Sequence, residues 1–260
     1  MPRPNPRRAA GAPLPLRTSL LWLPLVVGAC STGAGLVQAE QAAEQAEIRQ
    51  AGLDALEAAA AAGDLASQMR LASMYYDGRT VPRDRGRASV WYRAAADQGH
   101  AEAYYSLGIM LEGGDGLPQD LAAATAAYRV AAEAGVAEAQ TNLGLMALRG
   151  AGMEADTDEA YRWLSSAAEL GAARAQFMLG SMIANGRGTS PDAAAAVEWY
   201  ERAARQGLGP AQELLAAALL AGQGAQRDPG LAARWLELAQ TLRATHTMLV
   251  PVQYQRLMDY

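Results

Sequence analysis

"GAARAQFMLGSMIANGRGTSPDAAAAVEWYERAARQ", residues 171–206, contains two helical patterns separated by a break. In the first, Ala175, Leu179, Gly180 and Ile183 fall on one face at helical spacing. Gly186 stops that pattern, and the loop "GRGTSPD" follows. In the second, Ala196, Trp199 and the pair Ala203-Ala204 make another apolar stripe. Neither stripe can be buried by its own helix, so the stretch needs a copy of itself on either side.

Such copies exist. Gly63, Gly99, Gly135, Gly171 and Gly207 stand 36 residues apart without a slip. Eight residues after each come Leu71, Leu107, Leu143, Leu179 and Leu215, and nine after come Ala72, Gly108, Gly144, Gly180 and Ala216. Glycine recurs at fifteen, and twenty-one on stand Asp84, Asp120, Asp156, Asp192 and Asp228. The column at twenty-eight is Trp91, Ala127, Trp163, Trp199 and Trp235. Stacked units with such registers form one continuous core, the logic of a solenoid.

Each column implies a physical role. The first glycine is expected to end the preceding helix as a left-handed cap. The small residue at nine lets a neighbouring backbone approach. The aspartate suits the N-cap of the second helix, accepting from its unpaired amides. The tryptophans are expected to be the largest contributors to the core, so that Trp163→Ala costs about 3–5 kcal/mol.

The pattern A-x-x-x-L-G-x-M/L, G-x-G, D, A, W-Y/L, A-A, G resembles the Sel1-like repeat, a relative of the 34-residue tetratricopeptide unit. The resemblance covers residues 63 to 242, which is 180 of 260. Unit two lacks the Trp, and unit five has Ala216 where Gly is usual. It implies an all-α, right-handed α-solenoid of five 36-residue helix–loop–helix repeats with helical caps. The expected divisions are a signal peptide at 1–29, a tether leading into a helix at 30–50, and the solenoid at 51–243. The repeats occupy 63–98, 99–134, 135–170, 171–206 and 207–242, and a terminal cap or tail occupies 244–260.

The amino-terminal stretch carries an address. Four arginines precede Cys30, and the apolar run Leu20 to Val27 is far shorter than the roughly 20 residues of a spanning helix. Val27-Gly28-Ala29-Cys30 resembles the lipobox of bacterial lipoproteins. By that resemblance Cys30 becomes the acylated first residue of the mature protein, and Ser31 implies sorting to the outer membrane, facing the periplasm. The alternative is an ordinary signal cut after Ala39. Cys30 is the only cysteine, so no internal disulfide forms.

Composition narrows the function. Four of the 22 basic residues and no acidic ones lie before Cys30, so the remaining 18 face 27 acidic residues, a net of −9. That surface opposes phosphate backbones and makes nucleic acid an unexpected partner. The sequence has two histidines, His100 and His246, and no zinc, P-loop or nucleophile-elbow motif. His100, Glu102, Tyr104 and Tyr105 lie close in sequence, but the slot of His100 holds Asp64, Val136, Ala172 and Leu208 elsewhere. No catalytic residue, cofactor, metal or small-molecule substrate is expected.

The family resemblance implies binding on the first helix of each unit. Positions six, ten and thirteen there form a row containing Tyr76, Tyr105, Ile109, Leu145, Leu148 and Phe177. Two readings remain open: a partner-binding groove, or residues packed on the next unit by superhelical curvature. The resemblance implies a lipid-anchored scaffold for protein partners in an envelope assembly, with alginate-like exopolysaccharide export as a narrower setting. Its rivals are a penicillin-binding hydrolase of the same repeat type, a glycan-binding module and a signalling modulator.

Overall fold

A computed structural model describes residues 33–249, which contain eleven helices and no strand. Cys30 and the signal segment lie outside them. The chain divides into two units at Gln50 and Ala51. In the first, the described residues belong to α1 (Gly33–Ala61), and the side chains of residues 41–50 are all exposed. The second contains the end of α1 and five helix pairs: α2 (Leu65–Asp77) with α3 (Arg85–Asp97), α4 (Ala101–Gly113) with α5 (Leu121–Glu133), α6 (Ala137–Arg149) with α7 (Thr157–Glu169), α8 (Ala173–Ala184) with α9 (Ala193–Arg205), and α10 (Gly209–Ala221) with α11 (Pro229–Leu249). The first helix of a pair is called helix A and the second helix B. From α2 to α11 each consecutive pair of helices packs together, as a solenoid requires.

The punctuation is local chemistry. At every opening glycine the backbone is left-handed, and two N–H groups close on the alanine carbonyls that precede it. At Gly99, for example, Gly99 N–H reaches Ala96 O at 2.7 Å and His100 N–H reaches Ala95 O at 3.2 Å. All five aspartates at position twenty-one cap helix B, as at Asp120, whose carboxylate accepts from Ala123 N–H at 2.9 Å. Each also ties its own N–H to a helix A carbonyl, such as Asp120 N to Leu111 O at 3.0 Å. Loop and cap are therefore one device, fixing the turn from both ends. A second loop glycine sets the stacking distance: a Cβ on Gly152 would lie 2.1 Å from the Leu121 carbonyl of the preceding unit, at φ +70°.

The core differs from the sequence expectation in one column. Leu71, Leu107, Leu143, Leu179 and Leu215 are buried as expected. Trp91, Trp163, Trp199 and Trp235 are only half-buried, and Ala127 alone of that column is buried. The next residue holds the core: Tyr92, Tyr128, Leu164 and Tyr200 are buried, and Leu236 is half-buried in the last pair. Position twenty-eight lies at the edge, where Trp163 donates its indole N–H to Glu159 at 3.2 Å. The expected cost of 3–5 kcal/mol for Trp163→Ala therefore transfers to its neighbour. The small residue at nine is corrected too. A Cβ there would meet a side chain first, at 2.5 Å from the Tyr128 ring on Gly108 and 2.7 Å from Leu164 on Gly144.

One polar column escaped the sequence reading. Five residues after the opening glycine stand Gln68, Tyr104, Gln140, Gln176 and Gln212. The four glutamines are buried, and each donates at 3.0 to 3.1 Å to a carbonyl of the preceding helix, Ala60 in α1 and Ala132, Ala168 or Ala204 in a helix B. An amide side chain in the core is tolerated because it finds a partner there, as second donor to a carbonyl that also accepts from the opening glycine N–H.

Candidate protein-binding groove

Helix A sets the candidate surface. Tyr105 is half-buried, its ring centroid 6.0 Å from that of Tyr128. Tyr128 lies flat on Gly108 and donates its hydroxyl to Glu112 Oε2 at 2.7 Å. Burial first, and the Glu112 carboxylate second, push the Tyr128 phenol far above its ordinary value. Burial likewise raises Tyr92, Tyr105 and Tyr200. These groups stay neutral at physiological pH. Tyr76 meets Tyr92 edge-on at 6.5 Å, with the Arg85 guanidinium 5.1 Å from its ring centre. Arg85 also pairs with Asp115 of the next unit.

These contacts enclose an open pocket of ≈ 470 Å³ lined by Tyr76, Tyr105, Ile109, Leu145, Asn142 and Tyr128, with Glu112, Asp115, Arg149 and Arg174 around them. Four of the six candidate groove residues thus meet: Tyr76, Tyr105, Ile109 and Leu145. Leu145 is only 5 % exposed and forms floor, not rim. Leu148 and Phe177 do not line the pocket. Both are partly buried against the core of the later units, with Phe177 6.0 Å from Tyr200. The row therefore divides at the pocket, which its earlier members line and its later members do not, while both sets pack against the core.

The histidine cluster does not converge. His100 occupies the N-cap of α4 without a side-chain cap bond, and its Nδ1 lies 3.3 Å from Glu102 Oε2 without hydrogen-bond alignment. Tyr105 belongs to the pocket, whereas Tyr104 fills the glutamine column of unit two. Among the described residues no group of three or more His, Cys, Asp or Glu could hold a metal ion, and no helix is long and apolar enough to cross a membrane.

Comparison with known proteins follows the repeat frame. The Sel1 repeat profile matches residues 65–100, 101–136, 137–171, 173–208 and 209–239. A protective antigen present in uropathogenic Escherichia coli strains, displaying an SLR fold, superposes with a TM-score of 0.70 at 30 % identity over 73 % of this chain. The chain spans 40 % of that antigen's length. A Sel1 repeat protein from Oxalobacter formigenes superposes with a TM-score of 0.66 at 32 % identity, covering 69 % of this chain and 72 % of the other. No curated protein sequence matches.

Proposed function

The chain belongs to the Sel1 repeat family, whose repeats serve protein–protein interaction, and from that premise we propose a lipid-anchored scaffold that collects a protein partner on its helix A face. The observation that carries the reading is the open pocket lined by Tyr76, Tyr105 and Ile109 over a floor that includes Leu145, where phenol and apolar side chains come together. The anchor is Cys30 on the inner leaflet of the outer membrane, a reading supported by the leader "SLLWLPLVVGAC". Attachment by several acyl chains is effectively permanent, and it raises the local concentration of the bound partner. The proposed setting is an envelope assembly, with exopolysaccharide export as its narrower form, supported by family resemblance alone.

Two substitutions in the full-length protein test the two halves. Cys30→Ala is expected to lose incorporation of labelled fatty acid and to leave the membrane fraction. Ile109→Glu is expected to lose the crosslinked protein partner in cells while its thermal melt is unchanged. Fatty acid retained without Cys30 removes the anchor, and undiminished partner crosslinking in Ile109→Glu removes the groove.

A further inference from the structure

The last unit of the solenoid ends in an apolar face, and we propose that the chain's own residues 250–260 cover it. Unit four shows how such a face is normally used. Its Met178, Ala195 and Val197 are half-buried and its Tyr200 and Ala204 are buried, in one core with Leu208, Ala211 and Leu215 of unit five. Thirty-six residues on, the same positions hold Leu214, Leu231, Ala233, Leu236 and Gln240. Leu214 and Leu231 are 40 % and 39 % exposed, Ala233 and Gln240 are exposed, and Leu236 is half-buried where Tyr200 is buried. A repeat array stays soluble when its terminal face is capped by polar residues, and unit five presents leucines there instead.

The occupant is not a sixth unit. The next opening glycine would fall at Arg243, so the residue that turns the chain after every earlier helix B is missing, and α11 runs on to Leu249. Gln240 stands where the earlier units have Ala96, Ala132, Ala168 and Ala204. Its longer side chain denies a following helix A the close seat that alanine gives, and the same bar holds for helix A of a second copy docked in register. α11 stops two residues before Pro251, and proline breaks a helix and lets the chain turn back. Residues 250–260 lie outside the described residues. They carry Val250, Val252, Tyr254, Leu257 and Met258 beside one Arg256 and one Asp259, an apolar segment of no net charge for an apolar face. In unit four Phe177 meets Tyr200, so the equivalent pair Glu213 and Leu236 sets Leu214 near the level of Leu236. From Leu249 back to Leu236 the helix rises about 20 Å. Eleven residues of chain span at most about 36–40 Å, so the segment reaches Leu236 and Leu214 with length to spare. Being tethered, it meets the face at a high effective concentration.

The test places a photoreactive amino acid at position 214 of the purified full-length protein in detergent. The expected result is an intrachain crosslink that mass spectrometry locates within residues 250–260, at a yield independent of protein concentration. Leu257→Ser/Met258→Ser should cut that yield at least about fivefold, by removing two apolar side chains from the contact. The same amino acid at position 90, on α3, should give no crosslink to residues 250–260. Crosslinking from position 214 to a second copy overturns the assignment, as does the absence of any crosslink to residues 250–260. A yield unchanged in Leu257→Ser/Met258→Ser, or matched from position 90, overturns it equally.

Discussion

Units three and four share their core columns and part company at the residue before the next glycine. In unit four Gln206 folds back and donates to Gly171 O at 2.9 Å and to Gln176 Oε1 at 2.8 Å, while Gln176 donates to Ala168 O at 3.1 Å. In unit three Gln140 makes the equivalent bond to Ala132 O at 3.0 Å, but Leu170 stands at the closing position, 58 % exposed. Gln140 Oε1 is left buried without a partner. Unit one closes like unit four, through Gln98 and Gln68. The apolar columns build every unit, whereas the polar closure is optional and distributes stability unevenly along the stack.

The largest effect tests what the two units share. Leu164→Ala removes a fully buried side chain seated on Gly144 and is expected to cost about 2–5 kcal/mol in denaturant melts. Trp163→Ala should cost less than its neighbour does. A greater loss at Trp163 would return the tryptophan column to the centre of the core. Next comes the difference itself. Gln176→Leu removes one of two donors to the Ala168 carbonyl and one of two acceptors of Gln206, for an expected loss of about 1–3 kcal/mol. Gln140→Leu should cost less, because its oxygen is already unsatisfied.

Leu170→Gln runs the other way. It supplies the missing donor to Gln140 and Gly135 O, and should stabilise unit three by about 0.5–1.5 kcal/mol. The readout is slower hydrogen exchange at the start of α6, and unchanged exchange would show that the closure carries no energy.

The smallest effect is electrostatic. A hydrogen bond from Arg129, with a weaker one from Trp163, holds the Glu159 carboxyl below its ordinary value against the opposing effect of burial. Unit four has Ala195 at the same position. A depressed carboxyl stabilises the fold above its unfolded pKa, and that contribution is lost as pH falls through the folded value. Glu159→Gln should therefore flatten the acid side of the stability profile, by less than about 1 kcal/mol after solvent screening. An unchanged acid limb contradicts that role.

Much of the fold was legible because its signals are local. A glycine, a leucine eight residues on and an aspartate at twenty-one each act within a turn or two, so their columns needed no tertiary knowledge. The error at Trp163 arose because size was read as depth. Its neighbour column mixes Tyr and Leu, yet Tyr128, Leu164 and Tyr200 face the glycine at nine, and only the packing of helix B on helix A shows it. The glutamine column was visible in the residues but reads as solvent-facing amides until the carbonyls beneath it are in place. The groove was half legible. Spacing put Tyr105 and Phe177 in one row, and each does lie 6.0 Å from the helix B tyrosine of its own unit, but only the structure shows that Leu145 is buried and that Phe177 does not line the pocket.

On the proposed function, the helix A face is the working surface and helix B its support. The direct measurement is a photoreactive amino acid placed at Ile109 on helix A or at Val90 on helix B, which is 63 % exposed, in the full-length protein in cells. A protein crosslinked from position 109 and absent from position 90 is the predicted result, and equal crosslinking from both, or crosslinking from position 90 alone, would contradict it.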